Sequence, residues 1–196
     1  MISIRAKLVA LALIPLCAVA ASAAGKKLSP EEMAAVWAKA AAPGENHKML
    51  EAMAGDFTAS VKYWITADAQ PTESKGTSHN EMVLGGRYLK QSYKGDFRGS
   101  PIEGIGLVGY DNTAQKYEAI WIDSASTDVL TTEGQADSAH KILKANGRFT
   151  DSLSGRPGKL RTVTEIVDAN TIKYELYKTR NGKEGKVLEV TYTRNK

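Results

Sequence analysis

The sequence predicts a mainly β protein: an antiparallel up-and-down barrel of about ten strands, preceded by one or two short α-helices. Three observations predict it. From Phe57 to the C-terminus, apolar residues recur with a period of two. Turn residues fall between the alternating segments, at Gly85-Gly86, Asp111-Asn112, Asp137-Ser138, Asp168-Ala169-Asn170 and Asn181-Gly182. No helical segment separates the strands, so neighbours pair antiparallel rather than through crossovers. Many short-turned strands in one flat sheet would leave long sticky edges, and closing the sheet removes them. A two-sheet sandwich is the alternative architecture.

The chain opens with "MISIRAKLVALALIPLCAVAASAAGKK". Arg5 and Lys7 give a short positive region, an apolar run covers 8–20, and Ala21-Ser22-Ala23 places small residues where a signal peptidase reads them. Residues 1–23 therefore read as a secretory signal peptide cut near Ala23, with the mature protein periplasmic or secreted. The run falls short of the roughly 20 residues that span a bilayer. Leu16 is bulky where a lipoprotein would carry a small residue before Cys17.

Cys17 is the only cysteine, so the mature chain holds no disulfide and no thiolate metal site. Removing Arg5 and Lys7 from the 26 basic residues leaves 24 against 22 acidic ones, a net charge of +2. Basic and acidic residues are interspersed, so there is no phosphate-binding stripe and nucleic acid is not expected as a partner. The mature length suits one domain with a sizeable core.

Residues 24–55 read as an N-terminal helical segment. Ser29-Pro30-Glu31-Glu32 is a helix start, with a serine cap, proline at the first helical position and glutamate at the third. Met33, Val36, Trp37 and Ala40 recur at helical spacing until Pro43-Gly44. A second helix over 45–54 puts Met49, Leu50 and Met53 on one side and ends at Gly55. Both helices are amphipathic and are expected to lie over one end of the barrel or alongside it.

Residues 56–196 form the barrel domain. "DFTASVKYWIT" places Phe57, Ala59, Val61, Tyr63 and Ile65 on one face and Thr58, Ser60 and Lys62 on the other. Further strands are expected over 76–84, 86–98, 102–111, 116–123, 127–135, 140–149, 159–168, 171–179 and 184–194. Asn181-Gly182 is the strongest hairpin signal, because Asn-Gly readily adopts positive φ at both turn positions.

"EGIGLVGYDN" contains G-x-G-x-x-G at Gly104, Gly106 and Gly109. A dinucleotide site needs a helix beginning at those glycines, because its amides hold the pyrophosphate. Here "KYEAIWID" follows, another alternating strand, so the glycines serve a bend, a bulge or close packing by an aromatic neighbour. No nucleotide or other cofactor is expected.

His47, His79 and His140 stand alone with no metal-ligand spacing, and neither G-x-S-x-G nor H-E-x-x-H occurs. No catalytic set is assigned. His47 reads as a packed or capping residue, and His79 and His140 as exposed ones.

Alternation does nominate a binding face. Arg87 and Gln91 are in phase with Leu89, Tyr93 and Phe97, and Asp123 with Tyr117, Ala119 and Trp121. In one reading Arg87 anchors the carboxylate of a small apolar or amphipathic ligand lying against Tyr63, Tyr93 and Trp121, with Asp123 nearby. In the other, Arg87 pairs with Asp123 or with backbone carbonyls and closes one mouth of the barrel. Two other functions are open: a barrel hydrolase or isomerase using His79, Asp123 or Glu165 as acid–base groups, and a non-enzymatic envelope protein that binds a partner. The remaining charges, such as Lys62, Lys90, Lys94, Lys144 and Lys173, read as a solvated outer wall.

Taken together, "GENHKMLEAMAGDF", "LGGRYL", "YKGDFRGSPIEGIGLVGYDN" and "WIDSAST" resemble the secreted bacterial family called domain of unknown function 1579, from about Gly44 to Arg194. "GDF" stands where that family more often has G-x-W, which keeps an aromatic plug at Phe57. The resemblance implies a β-rich, lipocalin-like barrel and a periplasmic or secreted address. It carries over no activity and no catalytic residue.

Overall fold

The computed structural model describes residues 27–65, 69–152, 154–180 and 182–196, so the expected signal peptide and Asn181 lie outside the described residues. Two helices, α1 (Pro30–Ala41) and α2 (Glu45–Ala52), precede ten strands: β1 (Gly55–Tyr63), β2 (Thr72–Val83), β3 (Tyr88–Phe97), β4 (Ser100–Asp111), β5 (Lys116–Asp123), β6 (Leu130–Ala136), β7 (Ile142–Thr150), β8 (Pro157–Ile166), β9 (Thr171–Arg180) and β10 (Lys183–Arg194). The strands pair antiparallel in chain order, and β1 closes the barrel against β10. Arg180 pairs with Lys183 across a two-residue connection in which Gly182 has φ +77°.

The barrel interior follows from the pairing. Val61 lies between Val190 and Ser74, so the Phe57, Ala59, Val61, Tyr63 face continues into its neighbours. Ile65 lies beyond β1 and is exposed, so it leaves the expected face because the strand ends first. A bulge between Lys186 and Leu188 shifts the phase of β10, setting Gly185 beside Lys178 and Leu188 beside Leu176 on the inner side.

One end of the barrel is plugged. Met49, Leu50 and Met53, from α2 and its C-cap, are buried in a cluster with Phe57, Leu89, Tyr117, Leu143 and Ile172. Polar groups fasten this plug to the wall. Asn80 Nδ2 donates to Met53 O (3.0 Å) and Tyr117 Oη to Asn46 O (3.0 Å). Arg194 donates to the Ala52 and Ala54 carbonyls at the end of α2 and to Ala169 O in the β8–β9 turn, and its guanidinium lies 4.6 Å from the centre of the Phe57 ring. Cations suit that position, because the last carbonyls of a helix carry its negative pole.

α1 does not cover the barrel. Ser29 and Glu32 form the expected reciprocal cap, with Ser29 N donating to Glu32 Oε2 (2.8 Å) and Glu32 N to Ser29 Oγ (3.2 Å). None of the residues of α1 is buried, and Trp37 is 69% exposed. The helix is held at its C-terminal end, where Asn112 Nδ2 donates to Ala40 O (3.0 Å) and Ala42 O (2.8 Å). With the plugged end already filled by α2, the apolar stripe of α1 has no remaining inner surface to meet.

Candidate functional site

The opposite end is the mouth, where β1, β3, β5, β7 and β9 finish. Buried apolar residues in this half form two separate groups. Ala59, Val61, Tyr93 and Val190 line one wall, and Phe149, Leu160 and Leu176 line the other. Tyr174 and Leu188 pack against both. Eight strands give an interior that side chains just fill, and diameter grows with strand number, so this ten-strand wall encloses a wider interior.

Aromatic rings lie flat on glycine seats along one wall. A Cβ on Gly104 would stand 2.2 Å from Trp121 Cζ2, and one on Gly76 or Gly95 would meet the Tyr93 hydroxyl at 2.4 or 2.3 Å. The first two glycines of G-x-G-x-x-G therefore seat the Trp121 indole, since Gly106 also lies beneath it. Tyr93 and Trp121 then meet at 6.3 Å between ring centres, and Tyr63 meets Phe97 at 5.1 Å.

A polar floor separates this space from the plug. Gln91 Nε2 donates to Ser78 Oγ (2.9 Å) and Tyr192 Oη (3.1 Å), and Ser78 Oγ donates to Asn80 Oδ1 (2.7 Å). Burial pushes the Tyr192 hydroxyl up to about 12. Burial also pushes the Tyr174 hydroxyl above its ordinary range, although the residue keeps part of its surface exposed. Among the described residues no fully buried side-chain nitrogen or oxygen lacks a partner. Among the described residues the Tyr174 hydroxyl has no hydrogen-bond partner, so it is not fully shut off from solvent.

Of the five residues nominated from sequence, Tyr63, Tyr93, Trp121 and Asp123 share the inner face of the half away from the plug. Asp123 is tied locally: its Oδ2 accepts from Trp121 Nε1 (2.8 Å) and its Oδ1 from Ala125 N (3.0 Å). Arg87 is not with them. It lies in the β2–β3 turn at the plugged end, where Nη1 donates to Leu84 O (3.0 Å) and Gly85 O (3.4 Å). Tyr110 and Tyr117 are paired at the plugged end of their strands. Six residues of β5 then separate that level from Asp123, about 20 Å at 3.3 Å per residue, so Arg87 cannot anchor a ligand lying against Trp121. Of its two readings, contact with backbone carbonyls is the one found.

The three acid–base candidates do not converge either. His79 is on the outer face of β2 with Nδ1 2.7 Å from Asp56 Oδ1, and Glu165 is on the outer face of β8 beside Lys173, whereas Asp123 faces inward. His47 is buried in the plug, where its Nδ1 accepts from Gly44 N (3.0 Å) and its ring meets Tyr110 edge-on at 6.0 Å. Burial, with Arg87 nearby, lowers its pKa. Among the described residues no group of three histidines, cysteines or carboxylates is placed to hold a metal ion.

One inward residue escaped the sequence reading. Lys178 continues the phase of Ile172, Tyr174 and Leu176, and that alternation was the available signal. Its ammonium lies 4.3 Å from the centre of the Phe149 ring. Outward charges pair across strands as expected of a solvated wall, as in Lys90–Glu81 (3.0 Å) and Lys94–Glu103 (2.9 Å).

This plugged ten-strand barrel coincides with a family match. The model of the family described as "Protein of unknown function (DUF1579)" matches residues 42–194, from just before α2 to the end of β10. The chain belongs to the DUF1579 family. No curated protein matches the sequence. The DUF1579 match includes the plug and every strand and leaves out α1, the one element whose apolar face the barrel does not use. Among the described residues no helix is long and apolar enough to cross a membrane.

Proposed function

We propose that this protein is a non-enzymatic binding module, acting in the periplasm or outside the cell, that holds a small apolar or amphipathic molecule in the open half of its barrel. The observation carrying this reading is Tyr174. It packs against both apolar walls, desolvated, and among the described residues no group bonds to its hydroxyl. Such a group is stable when it meets water or a ligand, and a mostly apolar pocket with a few polar groups is the usual form of a small-molecule site. Tyr63, Tyr93 and Trp121 supply the apolar lining, and the Gln91–Ser78–Tyr192 network supplies polar contacts at depth.

The leader read over 1–23 supports the extracytoplasmic address. Fusion of those residues to a reporter that is active only outside the cytoplasm tests it; a reporter retained in the cytoplasm refutes it. For the binding itself, native mass spectrometry of protein purified from its own host is expected to show a retained small molecule. Failure of that species to appear, together with no uptake of any apolar or amphipathic probe, refutes the reading.

A further inference from the structure

The lumen has one charge set well inside the mouth. On the inner faces of β1 to β10, acidic and basic side chains otherwise lie at strand ends: Asp123, Arg180 and Lys183 at the mouth and Arg194 at the plug. Lys178 stands one inward position deeper, beside Leu160 on β8 and Gly185 on β10. Among the described residues no carboxylate lies within ion-pair distance of its ammonium, which instead stands over the Phe149 ring.

Three described carboxylates of the mouth are engaged elsewhere. Asp151 pairs with Arg180 (3.2 Å), Asp123 accepts from Trp121 and Ala125, and Asp128 accepts from Ser126. Burial, with Arg180 beside it, holds the Lys178 ammonium below its usual range, and Asp128, Asp151 and Asp123 offset this only in part. A part-buried cation without a counter-ion is a standing cost, and an anion delivered to it removes that cost.

Below Lys178 the lining turns apolar. Leu176, Tyr174 and Leu188 follow on β9 and β10, and six residues separate Lys178 from Ile172 in the plug cluster. With strand tilt allowed for, that is a depth of roughly 15 Å. The inner wall is therefore asymmetric, cationic near the mouth and apolar beneath.

We propose that the ligand is a single-chain amphipathic anion, its carboxylate-like head on Lys178 and its tail between the Tyr93–Val190 and Phe149–Leu176 walls. This rests on the lumen being a binding site, and it adds the charge and orientation of the occupant. The matching probes are dodecanoate, dodecanol and dodecyltrimethylammonium, titrated against a bound fluorescent dye and followed by Trp emission.

Dodecanoate is expected to bind the wild-type protein about ten-fold or more tighter than dodecanol, the usual worth of a hydrogen bond to a charged group. Lys178→Met should abolish that preference, and Lys178→Arg should keep it. Equal affinity of all three probes, or a preference for the ammonium compound, overturns the anionic assignment and leaves the lumen reading standing. Failure of every probe to bind overturns both. The head-group preference of the wild-type protein is read without any variant, so poor folding of Lys178→Met does not remove the test.

Discussion

Gly104→Ala tests the seat on which the lumen wall depends. The added Cβ would stand 2.2 Å from Trp121 Cζ2 and 2.5 Å from Cη2, where 3.4 Å begins ordinary contact. The indole must therefore retreat by about 1.2 Å, and it can go only inward, because Gly106 and Gln91 lie on the wall beside it. That movement strains the 2.8 Å bond from Trp121 Nε1 to Asp123 Oδ2. Overpacking of this size costs about 1–3 kcal/mol. Gly106→Ala is the internal control, since its Cβ would meet Trp121 Cε3 at 3.3 Å and needs only a slight adjustment.

The assay is urea unfolding followed by far-ultraviolet circular dichroism, with Trp emission read in parallel. Gly104→Ala should lower the midpoint clearly and Gly106→Ala hardly at all. In a Trp121→Ala background the Gly104→Ala penalty should vanish, because no ring remains to collide with. The retreating indole also narrows the lumen, so Gly104→Ala should weaken probe binding. If Gly104→Ala costs less than about 0.5 kcal/mol, or costs the same with and without the indole, the seat argument is wrong.

Three further outcomes follow from the plug. Leu50, 0% exposed in the plug cluster, should lose about 2–5 kcal/mol on Leu50→Ala by thermal or urea unfolding, and a loss under 1 kcal/mol would mean α2 is only loosely docked. Arg194→Ala leaves three carbonyls without their donor and should cost about 1–3 kcal/mol, with Arg194→Lys recovering only part, because one ammonium cannot serve both α2 and the β8–β9 turn. His47 has a lowered folded pKa, so the unfolded chain binds its proton more readily. The stability His47 contributes is complete above its unfolded value of about 6.5 and declines as pH falls below it. Unfolding curves from pH 7.5 to pH 5 should show that decline, and His47→Gln should flatten it; identical slopes would refute the assignment.

Much of the fold was legible because its signals are local. Ser29-Pro30-Glu31-Glu32 capped α1, and Tyr117, Ala119, Trp121 and Asp123 shared a phase that the barrel preserved. The first strand was read one step too far at Ile65, since alternation persists in sequence after the ladder has stopped. Arg87 was in phase with the interior yet belonged to a turn, because phase gives the face of a strand and not its level along the barrel. Lys178 had the right phase, but its importance lies in what fails to meet it from other strands.

Sequence alone determined the class of the protein: two-residue alternation, turn chemistry and the lack of intervening helices force consecutive antiparallel strands, and these are short-range properties of the chain. Tertiary structure alone decided which end is plugged, that ten strands close into one barrel, that Gly104 and Gly106 form a seat for Trp121, and that Lys178 meets no carboxylate among the described residues. Each of these depends on register and on partners far away in sequence. A charge at one position acquires meaning only when closure sets what stands opposite it.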